Sequence, residues 1–451
     1  MKLPLTPPDL EVLLPALTGP QLMQLVTQPL GPGDMKGRYL HWDKLRHLVP
    51  PEGMTPEVYW AAIKQTRKRL YRSIPLKDKA GSPLVFCIPE TLMQKILWIS
   101  EQATGSIEGD ARVRDPKTRQ QYLISSLMEE SISSSQLEGA STTRRVAREL
   151  LRSGRTPRDH SEQMIVNNYR AMRFIREYRE EPLTPSLVFE LHRILTEGTL
   201  EVDDQDKAGH FRSSADDICV FSKDDQLLHV PPVAAELEAR LKALCVFANA
   251  EGEAEGEYIP PVVRAIIVHF MIGYDHPFVD GNGRTARALF YWVMARNNYW
   301  LMEYVSISRV IKQAPSQYMK AYLYTETDEM DLTYFLDHQL NVIQQAVTDL
   351  HAWLAEKVRA LRESEEVLIG SSLQGRLNPR QLALLEHALK NPGHEYTIKE
   401  HQQAQGVVYQ TARTDLMTLV EPYGLLRKVR LGKKDVFIAP AELKEKIAAQ
   451  K

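Results

Sequence analysis

With 451 residues the chain can form two or three domains and bury a sizeable core. Its 56 Lys and Arg nearly balance 58 Asp and Glu, a net charge of -2 that argues against wholesale coating of nucleic acid but allows a local basic patch. The three cysteines (Cys87, Cys219, Cys245) show no ligand spacing, and no apolar run reaches membrane-spanning length. The expectation is therefore a cytoplasmic protein with reduced thiols and no membrane partner. Prolines at positions 4, 7 and 8 interrupt the start too early for a secretory signal.

Residues 1–117 are predicted to form an N-terminal helical accessory region. Apolar residues recur at helical spacing at Val58, Trp60, Ala61 and Ile63, and again from Leu92 to Ile99, without any catalytic constellation. Residues 118–350 form a mainly helical core. It opens with a helix over 120–139, where Gly139 stands as a C-terminal cap. Helices follow over Thr142–Leu151 and Asp159–Arg179, and Thr184-Pro185 makes a capped start for another. The strand-like section is a hairpin, Ile218–Phe221 and Leu227–Val230 across the turn Ser222–Gln226. An acidic loop, Glu251–Glu257, precedes an apolar helix from Val262 to Tyr274. Residues 351–376 read as a connector. In 377–451, Asn378-Pro379 and Thr397 cap two helices, a third covers Val408–Leu419, and strands cover Leu425–Val429 and Val436–Ile438. Three helices with a two-stranded wing describe a winged helix-turn-helix. The fold class is mainly α, with a β-hairpin in the core and a small terminal sheet.

One stretch concentrates the chemistry: His276-Pro277-Phe278-Val279-Asp280-Gly281-Asn282-Gly283-Arg284-Thr285-Ala286-Arg287. It joins two apolar, helix-like runs, so it reads as a tight loop. His276 alone could be a buried structural histidine. Asp280 adds a hard oxygen ligand suited to Mg²⁺. Gly281, Asn282 and Gly283 offer successive backbone N–H groups at a helix N-terminus, which attracts anions by geometry and by dipole. Arg284 and Arg287 lie one helical turn apart and can grip phosphate oxygens. Together these residues imply a nucleoside polyphosphate, and His276 beside them can take a proton from an attacking hydroxyl. No Gly-Lys-Ser/Thr is present, so this is not a Walker loop.

These residues resemble the signature of Fic-domain proteins, His-x-Phe-x-acid-Gly-Asn-Gly-Arg-x-x-Arg, at every fixed position. The resemblance implies a Fic-like helical core over roughly Arg119–Leu350. It also implies transfer of AMP from ATP to a Ser, Thr or Tyr hydroxyl of a protein with Mg²⁺, Mn²⁺ being the alternative ion. His276 would be the base, Phe278 a buried anchor and Asp280 the metal ligand. Gly281, Asn282, Gly283, Arg284, Thr285, Ala286 and Arg287 would bind the nucleotide phosphates, with Arg287 meeting the γ-phosphate. Gly209-His210-Phe211-Arg212 resembles the segment that precedes the family's flap, which here would be the predicted hairpin. The flap would hold a target segment by strand addition.

Ser134-Ser135-Gln136-Leu137-Glu138-Gly139 resembles the family's inhibitory motif, in which the glutamate takes the second motif arginine, here Arg287. Thr104-Gly105-Ser106-Ile107-Glu108-Gly109 fits the same short pattern. Glu138 is preferred because it follows a convincing helix and its paired serines are closer to the family form. Tyr318, Tyr322 and Tyr324 share one helix and either pack in the core or approach the adenine. In the terminal region Gln410, Arg413 and Thr414 could read a groove, and Arg427, Lys428, Arg430, Lys433 and Lys434 could touch phosphates. Such modules bind DNA or protein. The expectation is a protein adenylyltransferase, acting on a target and on itself, autoinhibited by Ser134 and Glu138. Two alternatives stay open: hydrolysis of AMP from a modified protein by the same site, and a nucleotide-sensing DNA-binding regulator. A homodimer is also open.

Overall fold

The computed structural model describes the chain except residues 1, 29, 105–115, 223, 251–257, 370, 392, 432–433 and 451. It divides into two compact units, one comprising Met1–Glu108 and Arg114–Leu350, the other containing His351–Lys451. The alternative glutamate Glu108, Lys223 of the hairpin turn, the acidic loop 251–257 and the Gly432-Lys433 turn lie outside the described residues.

The first unit opens with α1 (Leu10–Ala16), α2 (Gly19–Thr27), α3 (Trp42–Leu45) and α4 (Pro56–Leu70). Thr55 caps α4 by accepting the Val58 N–H, and Pro56 fills its first position. Residues 1–117 are not wholly helical. Arg72–Lys77 (β1) and Pro83–Phe86 (β2) pair as an antiparallel hairpin, and Ile74, Leu76, Leu84 and Phe86 from it enter the main core. Pro75 hides this strand from a propensity reading, yet the alternation of its neighbours sets one face inward. A buried polar seam ties this region to the rest of the unit. Lys64 Nζ donates to Asp328 at 2.6 Å, Arg67 Nη1 to the Tyr334 hydroxyl at 2.6 Å, and the Tyr39 hydroxyl to Asp331 at 2.5 Å.

Five helices follow: α5 (Glu90–Thr104), α6 (Pro116–Leu137), α7 (Arg144–Ser153), α8 (His160–Glu177) and α9 (Pro185–Thr196). The expected hairpin is present but short. β3 (Val220–Phe221) and β4 (Leu227–His229) pair Val220 with His229 and Phe221 with Leu227. Then come α10 (Leu237–Asn249), α11 (Pro261–Asp275), α12 (Asn282–Arg296), α13 (Ile307–Ile311), α14 (Pro315–Thr327) and α15 (Thr333–Ile369). α11 and α12 are buried almost all round, α11 through apolar side chains and α12 with Asn282, Arg284, Thr285 and Arg287 among its buried residues, so each is surrounded by protein. Burial of side chains such as Phe270 and Phe290, each at most 1% exposed, contributes about 1.5–3 kcal/mol apiece. The two helices form the rigid centre of the unit, and the loop between them carries the His276–Arg287 stretch.

The second unit has its own core, built on Leu385, Leu416, Leu419 and Phe437. It contains α16 (Pro379–Lys390), α17 (Ile398–Gln405), α18 (Tyr409–Val420) and α19 (Leu443–Ala448). Its sheet has three strands, not the expected two: β5 (Glu395–Thr397) pairs with β7 (Lys434–Ile438), which pairs with β6 (Arg427–Leu431). β5 is three residues long, too short to show a period. Gln410, Arg413 and Thr414 are exposed on α18, and Arg427, Lys428 and Arg430 on β6. Among the described residues no helix is long and apolar enough to cross a membrane.

Candidate functional site

α11 stops because His276 adopts the left-handed conformation, φ 44° and ψ 57°. That backbone costs a non-glycine residue about 1–2 kcal/mol and persists only where its surroundings over-determine it. Arg212 supplies the constraint. Its Nε donates to the His276 carbonyl at 2.7 Å, its Nη2 to the Pro232 carbonyl at 2.5 Å and the Asp275 carbonyl at 3.3 Å, and its backbone N–H to the Pro277 carbonyl at 2.9 Å. The buried guanidinium thus clasps the turn to the segment just after β4.

The ring of His276 is half-buried, with Nδ1 at 3.3 Å from the Gly273 carbonyl. Donation from Nδ1 leaves the lone pair on Nε2. Burial disfavours the imidazolium and lowers the His276 pKa to about 4. The ring is neutral at pH 7 and fit to accept a proton.

Beyond His276 the loop wraps around Phe278, which is fully buried. The Asn282 side chain accepts the Phe278 N–H at 3.0 Å and donates to the Phe278 carbonyl at 2.8 Å, closing the loop on itself. Asn282 therefore serves the loop backbone with both polar atoms of its side chain. His192 of α9 stacks on Phe278 with centroids 3.7 Å apart and planes 8° apart. Its Nδ1 accepts the Gly209 N–H at 2.9 Å, so the proton sits on Nε2, which donates to the Asp280 carbonyl at 2.8 Å. Burial lowers the His192 pKa to about 4 and keeps that tautomer neutral. Sequence reasoning passed over His192, a lone histidine on the apolar stripe of Val188, Leu191 and Leu195. Nothing in its spacing separates it from a core histidine.

Gly281, at φ 79°, caps α12. A side chain there would be strained, and its Cβ would also meet Thr196 Cγ2 at 2.8 Å. The Asp280 side chain is 53% exposed and pairs with Arg284 at 2.8 Å, while Arg284 also donates to the Leu195 carbonyl at 3.0 Å. Thr285 turns its hydroxyl to the Gly281 carbonyl at 2.9 Å, and Ala286 is fully buried in the core. Neither presents a free polar side-chain group to a ligand. Among the described residues no three His, Cys, Asp or Glu side chains gather as a metal cluster. Asp280 thus offers one exposed carboxylate, which fits a cation that takes its other oxygens from water and phosphate.

Arg287 is only 2% exposed. Its Nε donates to Ser134 Oγ at 2.9 Å, and its Nη2 to the Ser134 carbonyl at 3.1 Å and to Glu138 Oε1 at 2.8 Å. Glu138 sits in the turn that ends α6, where Gly139 takes φ 98° and the Ala140 N–H returns to the Ser135 carbonyl at 3.0 Å. A Cβ at Gly283 would lie 2.2 Å from Glu138 Oε1. The carboxylate thus rests on the first turn of α12, where unpaired N–H groups and the helix dipole favour an anion.

α6 is itself held in place. Glu130, buried at 2% exposed, accepts from Ser306 Oγ at 2.7 Å, the Ser308 N–H at 3.1 Å, the Tyr291 hydroxyl at 3.0 Å and the Ser308 hydroxyl. Ser135 Oγ donates to the Met164 carbonyl at 3.2 Å. Two other tyrosines are packing residues in this geometry: the Tyr318 hydroxyl meets His269 Nε2 at 2.8 Å, and the Tyr322 hydroxyl lies against Gly273. In the hairpin, His229 Nε2 donates to the Tyr274 carbonyl at 2.7 Å and Nδ1 meets Glu326 at 2.7 Å, so β4 is pinned beside the end of α11. Phe221, Leu227 and Val230 remain exposed on it.

A buried helix pair, a loop offering a neutral histidine, and an anion-attracting helix start define a helical domain, and known proteins match it. Residues 182–294 match the Fic/DOC family, so the chain carries a Fic domain. It is 27% identical over 174 residues to a protein adenylyltransferase Fic from Nematostella vectensis, covering 37% of this chain and 37% of that protein. It is 28% identical over 151 residues to a protein adenylyltransferase from Caenorhabditis elegans, covering 32% of this chain and 26% of that one. The alignments thus span 26–37% of these relatives' length. In three dimensions the chain is similar to a Fic family protein from Desulfovibrio desulfuricans G20. The TM-score is 0.50 at 18% identity, with 77% of this chain and 95% of that one covered. At that identity the likeness concerns the fold.

Proposed function

We propose that this protein is a nucleotidyltransferase that moves AMP from ATP onto a hydroxyl of a protein, itself included, and that Glu138 holds it in check. The observation that carries this reading is the Glu138 carboxylate on the first turn of α12, paired with Arg287 at 2.8 Å. A carboxylate there occupies the place of a phosphate: it faces the same dipole and takes the same guanidinium.

In the active state the nucleotide phosphates lie along the start of α12, the γ-phosphate on Arg287 and the others on the Gly281–Gly283 turn. Asp280 would hold Mg²⁺, whose charge offsets that of the phosphates when it is bound. His276 Nε2 takes the proton of the target hydroxyl as its oxygen attacks the α-phosphorus. A new P–O bond to the protein forms, the bond to the bridging oxygen breaks, and pyrophosphate leaves. This chain's residues act by position and charge, as phosphoryl chemistry requires. With Glu138 in place Arg287 is taken and ATP cannot align. Because Glu130 anchors α6 while the Glu138 side chain is 29% exposed, release is a rotation of that side chain rather than a displacement of the helix. β4, with exposed apolar residues beside it, would receive the target segment.

The test is incubation of the full chain with ATP labelled on the α-phosphate, then on the γ-phosphate. Protein-bound label from the first alone supports AMP transfer; label from the second alone overturns it.

A further inference from the structure

Away from this site, a cavity of about 180 Å³ lies between the segment around Tyr39–Lys44, helix α14 and the first turns of α15, all residues of the first unit. Its floor is aromatic: Tyr324 is 7% exposed and stacks on His41 with centroids 4.5 Å apart at 15°. The Tyr324 hydroxyl and His338 Nδ1, both lining residues' atoms, are buried without a hydrogen-bond partner among the described residues. A buried hydroxyl in that state is destabilising unless something binds it. Two ammonium groups also line the cavity, Lys44 and Lys320, and neither has a carboxylate partner among the described residues. The one acidic lining residue, Asp337, is committed to Lys95 at 2.6 Å. Burial lowers the pKa of His41 and His338 to about 4, so both rings are neutral at pH 7 and the lining charges without an ion-pair partner among the described residues are the two ammonium groups.

We propose that this cavity binds a small organic anion of single-ring size, its ring on the Tyr324–His41 floor and its carboxylate or phosphate on Lys44 and Lys320. The volume sets the size: a cavity of ~150 Å³ already accommodates benzene, and drug-sized ligands need more than ~300 Å³. The position gives the site reach. Lys320 and Tyr324 lie on α14, and the adjacent face of the same helix carries Tyr322 against Gly273 and Glu326 on His229 of the hairpin. A ligand in the cavity therefore acts on the element that packs behind the end of α11.

Isothermal titration of the full chain without ATP tests this, using phenyl phosphate, benzoate and inorganic phosphate as probes. Phenyl phosphate is expected to bind one saturable site. Lys320→Glu should weaken it at least about tenfold, the range of a lost charge-assisted contact, and Lys44→Ala and Tyr324→Phe should weaken it less. Arg287→Ala should leave it unchanged. Absence of saturable binding by phenyl phosphate and benzoate overturns the proposal. So does binding indifferent to both Lys320→Glu and Tyr324→Phe, or binding lost in Arg287→Ala, which would put the probe at α12. Inorganic phosphate binding as tightly as phenyl phosphate overturns the role of the ring. Heat is read without any transfer reaction, so this outcome is separate from that of the AMP-transfer assay.

Discussion

Glu138 and Arg287 stand 149 positions apart in the chain and 2.8 Å apart in space. The pair joins the turn after α6 to the second turn of α12, with the carboxylate resting over Gly283 in the first turn. Arg287 is buried and has Ser134 as its other partner. Removing the glutamate would leave a buried cation facing an empty anion site, which a polyanion such as ATP can fill.

In the proposed reaction His276 Nε2 takes the proton of the target hydroxyl. His276→Ala should lower AMP transfer by about 10²–10⁴, the usual worth of a positioned base, with the urea midpoint little changed. His276→Gly should be equally inactive but more stable than His276→Ala by about 1 kcal/mol, because glycine enters the left-handed region without strain. Equal midpoints for the two variants would contradict the strain assigned to this turn.

The acidity of His276 sets the pH profile. Its pKa is lowered to about 4, so the base is already deprotonated at pH 6. Transfer by Glu138→Gly should therefore change little between pH 6 and 8, whereas a base with an ordinary pKa near 6.5 would give about a fourfold rise. Stability follows the same sign. A histidine lowered from 6.5 to about 4 favours folding above the upper value and loses that contribution as pH falls through the lower one. His41, His192 and His338 share the shift. Thermal unfolding at pH 6.5, 5.5 and 4.5 should show midpoints falling with pH; a constant midpoint would contradict buried neutral rings.

Asn282 is a loop-closing residue in this geometry. Asn282→Ala should orphan the buried N–H and carbonyl of Phe278 at about 1–3 kcal/mol each, and so lower the urea midpoint as well as transfer. A variant with the parental midpoint would show that the loop closes without that side chain.

Glu130 tests whether α6 must be anchored for inhibition. Glu130→Ala should raise transfer in the parental chain by freeing the helix that carries Glu138, and should not raise it further in Glu138→Gly. A fall of the same size in both backgrounds would instead tie Glu130 to the site itself.

The twelve residues from His276 to Arg287 were legible because they are contiguous: helix, tight turn and helix start are each written locally. Glu138 could be placed against Arg287 only by resemblance, since nothing in the spacing of two helices 149 positions apart brings them together. His192, the Arg212 clasp and Glu130 act through hydrogen bonds to backbone or buried hydroxyl groups, and such partners exist only once the chain has folded. The β1–β2 hairpin escaped notice behind Pro75, and β5 because three residues carry no period.

In the proposed switch Glu138 and the γ-phosphate compete for one guanidinium. The direct measurement is AMP transfer by the parental chain, Glu138→Gly, Arg287→Ala and the double variant at one ATP concentration. Glu138→Gly should transfer at least about tenfold faster than the parent, the equivalent of 1.4 kcal/mol. Adding Arg287→Ala to it should return the rate to the parental level or below. A double variant as fast as Glu138→Gly would contradict this competition, because Arg287 would then not be what Glu138 withholds.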